Sequence, residues 1–402
     1  MPETTSTARA GASIHRQPIV HPDRSVFAYA VRGRVLGPDG VPLPEASAEH
    51  LVDAAYSLID PDLVAGTRPL VVRATRRLLA DPTPFLGAPH GLTLELPPTL
   101  VAEADVRARL GALAEADVRV ALADYTASPE QDALLPHVQL VKVDAAADPA
   151  VLADLVARAV QSGTVVIAER ATTRERVQVA LDVGAELLQG PLVLNNGPTA
   201  ADRAWGVSEI QCLELLRLLS EDAVDQREVI RVVQTDPVLT VRVLHLVNSS
   251  AMGVRNKVDS VRQAVVLLGP RHLGALATAS LVGATPASME ALWYLLTRAS
   301  ACGGLAGDDV GYTVGLLSAV SSYLRVPAAN VVADTGVSSD VADALLHRTG
   351  RYGPVLAAVL AHEANDADGV RATGLDEYEV AHAYLDAVPR ALALASNLAA
   401  AA

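Results

Sequence analysis

Between Gln17 and Val35 the chain reads QPIVHPDRSVFAYAVRGRV, with Ile19 and Val20 ahead of the turn pair Pro22-Asp23. An apolar, β-prone run then resumes at Val26, Phe27, Tyr29 and Val31, which predicts two short strands around a turn. Downstream, short apolar runs alternate with longer amphipathic ones. PLVVRA (69–74), LTLEL (92–96), VRVALADY (118–125), VQLVKVD (138–144) and TVVIAE (164–169) read as strands. Between them, PTLVAEADVRARLGALAEAD and DPAVLADLVARAVQSG repeat apolar residues at spacings of three and four and read as helices, the second ended by Gly163. Such alternation predicts an α/β unit with a largely parallel sheet, open or closed as a barrel. The region spans residues 14–195, about 180 positions. A full eight-fold barrel usually takes roughly 250, so a shortened TIM-type barrel is expected.

The strand pattern stops at residues 196–207, a Gly-, Pro-, Asn- and Ala-rich stretch that reads as a linker. From 208 to 402 the pattern is all-helical. Ser208 is the expected N-cap of SEIQCLELLRLLSED, Asp236 caps DPVLTVRVLHLVNSS with Pro237 at the first helical position, and DSVRQAVVLLG stops at Gly269-Pro270. Residues 1–13 are small and polar, are expected to be disordered, and lack the apolar core of a signal peptide.

Composition narrows the function. Half of the 402 residues are hydrophobic and the formal net charge is −14. That field opposes the counterion release on which sequence-independent nucleic-acid binding depends, so no nucleic-acid partner is expected. Cys212 and Cys302 are too few and too far apart for a disulfide framework or a cysteine zinc site. The most apolar stretch, Leu273–Ala284, is shorter than the roughly 20 residues that cross a bilayer. A soluble cytoplasmic protein without a membrane span is expected.

The order of motifs over Gln17–Val193 resembles the EAL family of cyclic di-GMP phosphodiesterases. QPIV is similar to the family's opening, VALADYTA to its DDFG strand end, VKVD to the KID type, VVIAERATT to the AEGVET type and LLQGPLV to the QGY type. The resemblance implies two divalent metals that activate water for attack on a phosphodiester. Carried over by position, Glu95, Lys142, Glu169 and Gln189 match ligand or catalytic positions. Three others are lost: the named glutamate becomes Ala30, a strand asparagine becomes Arg73, and the first of two paired aspartates becomes Ala123, beside Asp124. Such a degenerate site, with Arg73 and Lys142 repelling cations, implies no metal and no cofactor. The expected arrangement is a buried network in which Arg73 and Lys142 neutralise both Glu95 and Glu169. Arg34 matches the arginine that contacts the nucleotide in that family, so residual cyclic di-GMP binding would use it.

The helical half resembles the HDOD domain, a relative of HD-type phosphohydrolases without their catalytic residues. VIRVVQTDPVLTVRVLHLVNSSAMG and VDSVRQAVVLLGPRHLGAL carry that likeness. None of the ten histidines precedes an aspartate, as an HD metal site needs. His245 is expected to pack against its helix, with Asn248 and Ser249-Ser250 ending it. HEANDADG lacks acidic ligands at Ala364 and Leu375, where a calcium loop needs them, and reads as a polar surface loop. Together these features imply a non-enzymatic signalling protein acting through protein partners, with a cyclic di-GMP phosphodiesterase or cyclic di-GMP sensor as the alternative.

Overall fold

A hairpin opens the barrel. β1 (Gly11–Val20) and β2 (Val26–Leu36) pair antiparallel, with the His21 amide donating to the Ser25 carbonyl across the turn. The expected two strands and turn are therefore present, but β1 begins six residues before Gln17. Its early part alternates polar side chains, and these are buried: Ser13, His15 and Arg16. Arg16 is kept inside by a hydrogen bond to the Val64 carbonyl (2.6 Å) and by lying 3.6 Å from the centre of the Tyr29 ring.

Six further strands follow: β3 (Leu70–Arg73), β4 (Leu92–Leu96), β5 (Arg119–Leu122), β6 (Leu140–Asp144), β7 (Val165–Glu169) and β8 (Leu187–Gln189). β2 to β8 pair in parallel, and β1 closes the sheet antiparallel to both β2 and β8. All eight strands of a closed barrel are present. The shortening lies in the connections: a tight turn joins β1 to β2, and several crossovers hold helices of only four or five residues, such as Arg76–Ala80 and Pro129–Asp132. The single helix expected over 98–117 is two, Pro98–Val101 and Val106–Glu115. Strand interiors are near-continuous apolar runs because helices and the barrel lumen cover both faces. The lower lumen is filled by Ile19, Ala28, Val71, Ala121, Leu140, Ile167 and Leu187.

In the computed structural model, the described residues are 11–37, 43, 48–88, 90–190, 207–221, 223–249, 252–253, 257–282 and 286–400. The expected disorder at 1–13 falls on residues outside these up to residue 10, as does the expected linker up to residue 206. The chain divides into two compact units. The first holds residues 1–196 with 362–367 and 376–382; the second holds 197–361, 368–375 and 383–402.

The second unit is helical. Val207–Leu219 starts one residue before the expected cap Ser208, whereas Asp236 caps Pro237–Val247 as expected, accepting from the Val238 amide at 2.8 Å. Asn248 ends that helix and reaches Val258, its side chain exchanging two hydrogen bonds of 2.8 Å with that residue's backbone. His245 departs from expectation: it lies on the exposed side of its helix, one position from the buried Leu246. The stop at Gly269-Pro270 is a bend, because Gly269 takes φ 70° and the chain resumes as helix to Val282. Val261–Val282 is long and apolar enough by composition to cross a membrane, yet half of its most apolar window is buried within the fold. Pro286–Ala306 and Asp309–Leu324 touch at Gly315, where a Cβ would sit 2.9 Å from the Ala299 Cα.

Barrel closure depends on a second glycine. Gly190, after β8, has φ 154°, and a Cβ there would lie 2.7 Å from the Ala171 backbone nitrogen. Gly190→Ala should therefore destabilise the barrel by about 3 kcal/mol, read as a lowered thermal midpoint of the full chain. An unchanged midpoint would show that the β7–β8 end can relax freely.

Candidate functional site

The C-terminal ends of the strands surround a cavity of about 410 Å³. A barrel layer draws its side chains from alternate strands, and here the even strands supply Ala30 (β2), Glu95 (β4), Lys142 (β6) and Gln189 (β8). Ala30 is small, so the layer has room above the apolar lumen. The sequence-singled residues Ala30, Glu95, Lys142, Glu169, Gln189 and Arg34 all line the cavity. Ala123 does not. It is fully buried, its carbonyl accepting from the Gln131 side chain, while Asp124 beside it turns into the mouth at φ 45°.

Glu95 is the centre of the charge arrangement. Arg73 donates to one of its oxygens at 2.7 Å, and Lys142 donates to the other. All three side chains are buried. Burial alone would raise the Glu95 pKa, but the ammonium and guanidinium beside it override that and hold it at about 2. Lys142 also donates to Gln189 Oε1 (2.8 Å), Gln189 Nε2 to Gln17 Oε1 (3.0 Å), and Gln17 Nε2 to the Glu363 carbonyl (2.8 Å). A continuous polar chain thus runs from the floor of the cavity to segment 362–367.

The expected network is only half realised. Arg73 spends its second branch on Asp124 (3.1 Å) rather than on Glu169. Among the described residues no cation lies within ion-pair distance of Glu169. Burial therefore pushes its carboxyl up to about 7, against the attraction of Lys142 and helped by Glu95 and Asp124. It sits on the edge of ionisation at neutral pH.

Other parts of the site were outside the expected set. Arg32, Arg170, Thr172 and Arg176 line the cavity, with His15 and Gln17. Arg32 was recoverable from strand periodicity, since it lies two residues from both Ala30 and Arg34 and so shares their face. Arg170 and Arg176 belong to the loop and helix after β7, where no periodic signal distinguishes a mouth residue from a surface one. HEANDADG is a surface loop only in part: Asp366 and Asp368 are exposed, whereas its first two residues end a helix and pack inward. His362 is buried and stacks on His15 at 4.3 Å, and Glu363 is buried beside it. Burial holds both imidazoles well below their usual pKa, His362 at about 3 with Arg34 as a further cause.

Arg34 is engaged within the same unit. It donates to Glu377 Oε1 at 2.8 Å, to Asn365 Oδ1 at 2.5 Å and to the Asn365 carbonyl at 3.2 Å.

The donor set does not fit the divalent pair that the EAL resemblance implies. Glu95 is committed to two cations, Ala30 and Ala123 offer no side-chain donor, and Asp144 pairs with Arg170 at 2.9 Å. Among the described residues, no group of three or more His, Cys, Asp and Glu side chains is placed to hold a metal.

Comparison with known proteins places residues 211–317 in the HDOD domain family. The chain is 26% identical over 388 residues to the Vibrio cholerae protein named Cyclic di-GMP phosphodiesterase CdgJ, covering 89% of this chain and 86% of that one. It is 24% identical over 400 residues to Bacillus subtilis YuxH, which is named as uncharacterized, covering 93% and 97%. Among solved structures, the PaMucR phosphodiesterase in complex with c-di-GMP is 19% identical with a TM-score of 0.38, covering 45% of this chain and 95% of that one. The chain thus carries a closed eight-stranded barrel followed by a helical region in which residues 211–317 match the HDOD domain. The expectation that it is not an enzyme is overturned by the relative named as a phosphodiesterase, which matches nearly its whole length.

Two variants test the electrostatics. Lys142→Met leaves the buried Glu95 with one partner fewer and should cost about 3 kcal/mol in denaturant unfolding; an unchanged stability would mean that water reaches the site. For Glu169 the folded pKa, about 7, is above the ordinary carboxylate value. The folded state then binds more protons than the unfolded one between those values, and stability falls as pH rises through that window. Glu169→Gln, neutral throughout, should raise the thermal midpoint at pH 8.5 and leave it unchanged at pH 4. Equal shifts at both would show that Glu169 has an ordinary pKa.

Proposed function

We propose that the chain acts in cyclic di-GMP signalling: the barrel mouth takes the cyclic dinucleotide by its phosphates, and Glu169 moves the proton in phosphodiester hydrolysis. The observation that carries this reading is the charge of the cavity. Arg32, Arg34, Arg170, Arg176 and Lys142 line it against Glu95, Asp124 and Glu169, with Thr172, Gln17 and Gln189 adding neutral hydrogen-bonding groups. A cyclic dinucleotide presents two phosphodiester anions, and guanidinium forks match phosphate oxygens in pairs. The volume, about 410 Å³, suits a ligand of this class entering in part. The name of the Vibrio relative supports the same ligand and supports hydrolysis.

Glu169 suits a proton-transfer role because a carboxyl titrating near 7 can accept and release a proton at neutral pH. Glu95 cannot share that task, since its two cations keep it ionised. Protein partners belong to the same reading as carriers of the output. The helical unit supports this with exposed Val238, Val241, Val266 and Leu267 on the HDOD segment.

Calorimetry of the full chain with cyclic di-GMP, with and without added magnesium or manganese, tests the reading together with chromatography of the products. Binding is expected, weakened about tenfold by Arg176→Ala. Glu169→Gln should retain binding and lose the linear dinucleotide product. Absence of binding up to millimolar ligand would contradict the reading, and full turnover by Glu169→Gln would remove that residue from the chemistry.

A further inference from the structure

Arg34 holds two acceptors already. Glu377 is 2% exposed, and its carboxylate meets the guanidinium at 2.8 Å, in the manner of a bound phosphate oxygen. Asn365 adds its side-chain and backbone oxygens on the other guanidinium nitrogen. Both residues come from segments 362–367 and 376–382, which belong to the barrel unit although they lie far along the chain. Asn365 and Ala364 also line the cavity itself. The same segments are tied down by the His15–His362 stack and by the Gln17 bond to the Glu363 carbonyl.

We infer that these segments form an internal plug, in which Glu377 and Asn365 occupy Arg34 in place of a ligand phosphate and must leave it before an anionic ligand binds fully. The inference rests on the reading of the mouth as a cyclic di-GMP site. Three of the five guanidinium donors are directed at the plug, both hydrogens of one terminal nitrogen among them, so no adjacent pair of donors is left to grip a phosphate by two oxygens while Glu377 and Asn365 stay in place. The plug therefore lowers ligand affinity by the cost of releasing Arg34. Ligand binding in turn frees the plug segments, which continue in the chain into helices Gly353–Glu363 and Glu377–Ala400. The polar chain from Lys142 through Gln189 and Gln17 ends on the same plug, so cavity floor and plug are hydrogen-bonded to one another.

Two variants weaken the plug by different means. Glu377→Gln removes the competing charge. Asn365→Gly removes the competing amide at a position with φ 57°, which glycine adopts freely, so the backbone is kept. Calorimetry of the full chain with cyclic di-GMP should show affinity raised about tenfold in Glu377→Gln and less in Asn365→Gly, as expected for loss of a charge-assisted hydrogen bond. In the wild type, amide hydrogen exchange over 362–382 should speed up at saturating cyclic di-GMP. Equal affinities in wild type and both variants overturn the plug and leave the ligand reading standing. Absence of binding in all three overturns both. Binding in the variants alone supports both.

Discussion

The pairing of one buried carboxylate with two buried cations organises the mouth of the barrel. Glu95, Lys142 and Arg73 come from β4, β6 and β3, so their mutual attraction acts across the sheet rather than along it. A buried carboxylate is tolerable only when paired and hydrogen-bonded, and both Glu95 oxygens are satisfied. Every other charge at the mouth then adjusts. Arg73 has one branch left and gives it to Asp124; Lys142 has a donor left and gives it to Gln189. Glu169 is moved up toward neutrality mainly by burial, against the attraction of Lys142 and with Glu95 and Asp124 adding to the rise.

The mouth keeps Glu169 near neutrality although Ala30 and Ala123 offer no side-chain donor. Ala30 leaves room at the mouth, and Arg73 is spent on Glu95 and Asp124. Around them the cavity is lined by Arg32, Arg34, Arg170 and Arg176 as well as by Glu95, Asp124 and Glu169. The expectation of an inert shell followed from counting carboxylates, and a count omits the effect of one paired carboxylate on its unpaired neighbour. The relative named as a phosphodiesterase, matched along nearly the whole chain, points the same way.

Much of the fold was legible. β3 to β7 are short apolar runs buried on both faces, which single them out in any window, and Asp236-Pro237 marks a helix start by its own chemistry. β8 was missed as a strand because three residues, Leu187–Gln189, give no period to detect. The first part of β1 was hidden by His15 and Arg16, whose burial depends on partners at Glu377, His362 and Val64 that no local pattern reveals. The site was half legible for the same reason. Most residues matched by motif fell at the mouth, Ala123 being an exception, since motif order follows strand order. The partner of Arg34 did not, because Glu377 lies 343 positions away. Likewise, HEANDADG reads as a surface loop when only its polarity is considered, and the burial of His362 and Glu363 at its start is set by their contacts with His15 and Gln17.

The claim on which the account stands is that Glu95 is held ionised by Lys142, so that each is harmful without the other. A double-mutant cycle of Lys142→Met and Glu95→Gln, followed by denaturant unfolding, measures this directly. The account predicts that Glu95→Gln restores much of the stability lost in Lys142→Met, with a coupling of about 2 kcal/mol. Strictly additive losses would contradict it, and with it the charge arrangement from which the chemistry of the mouth was derived.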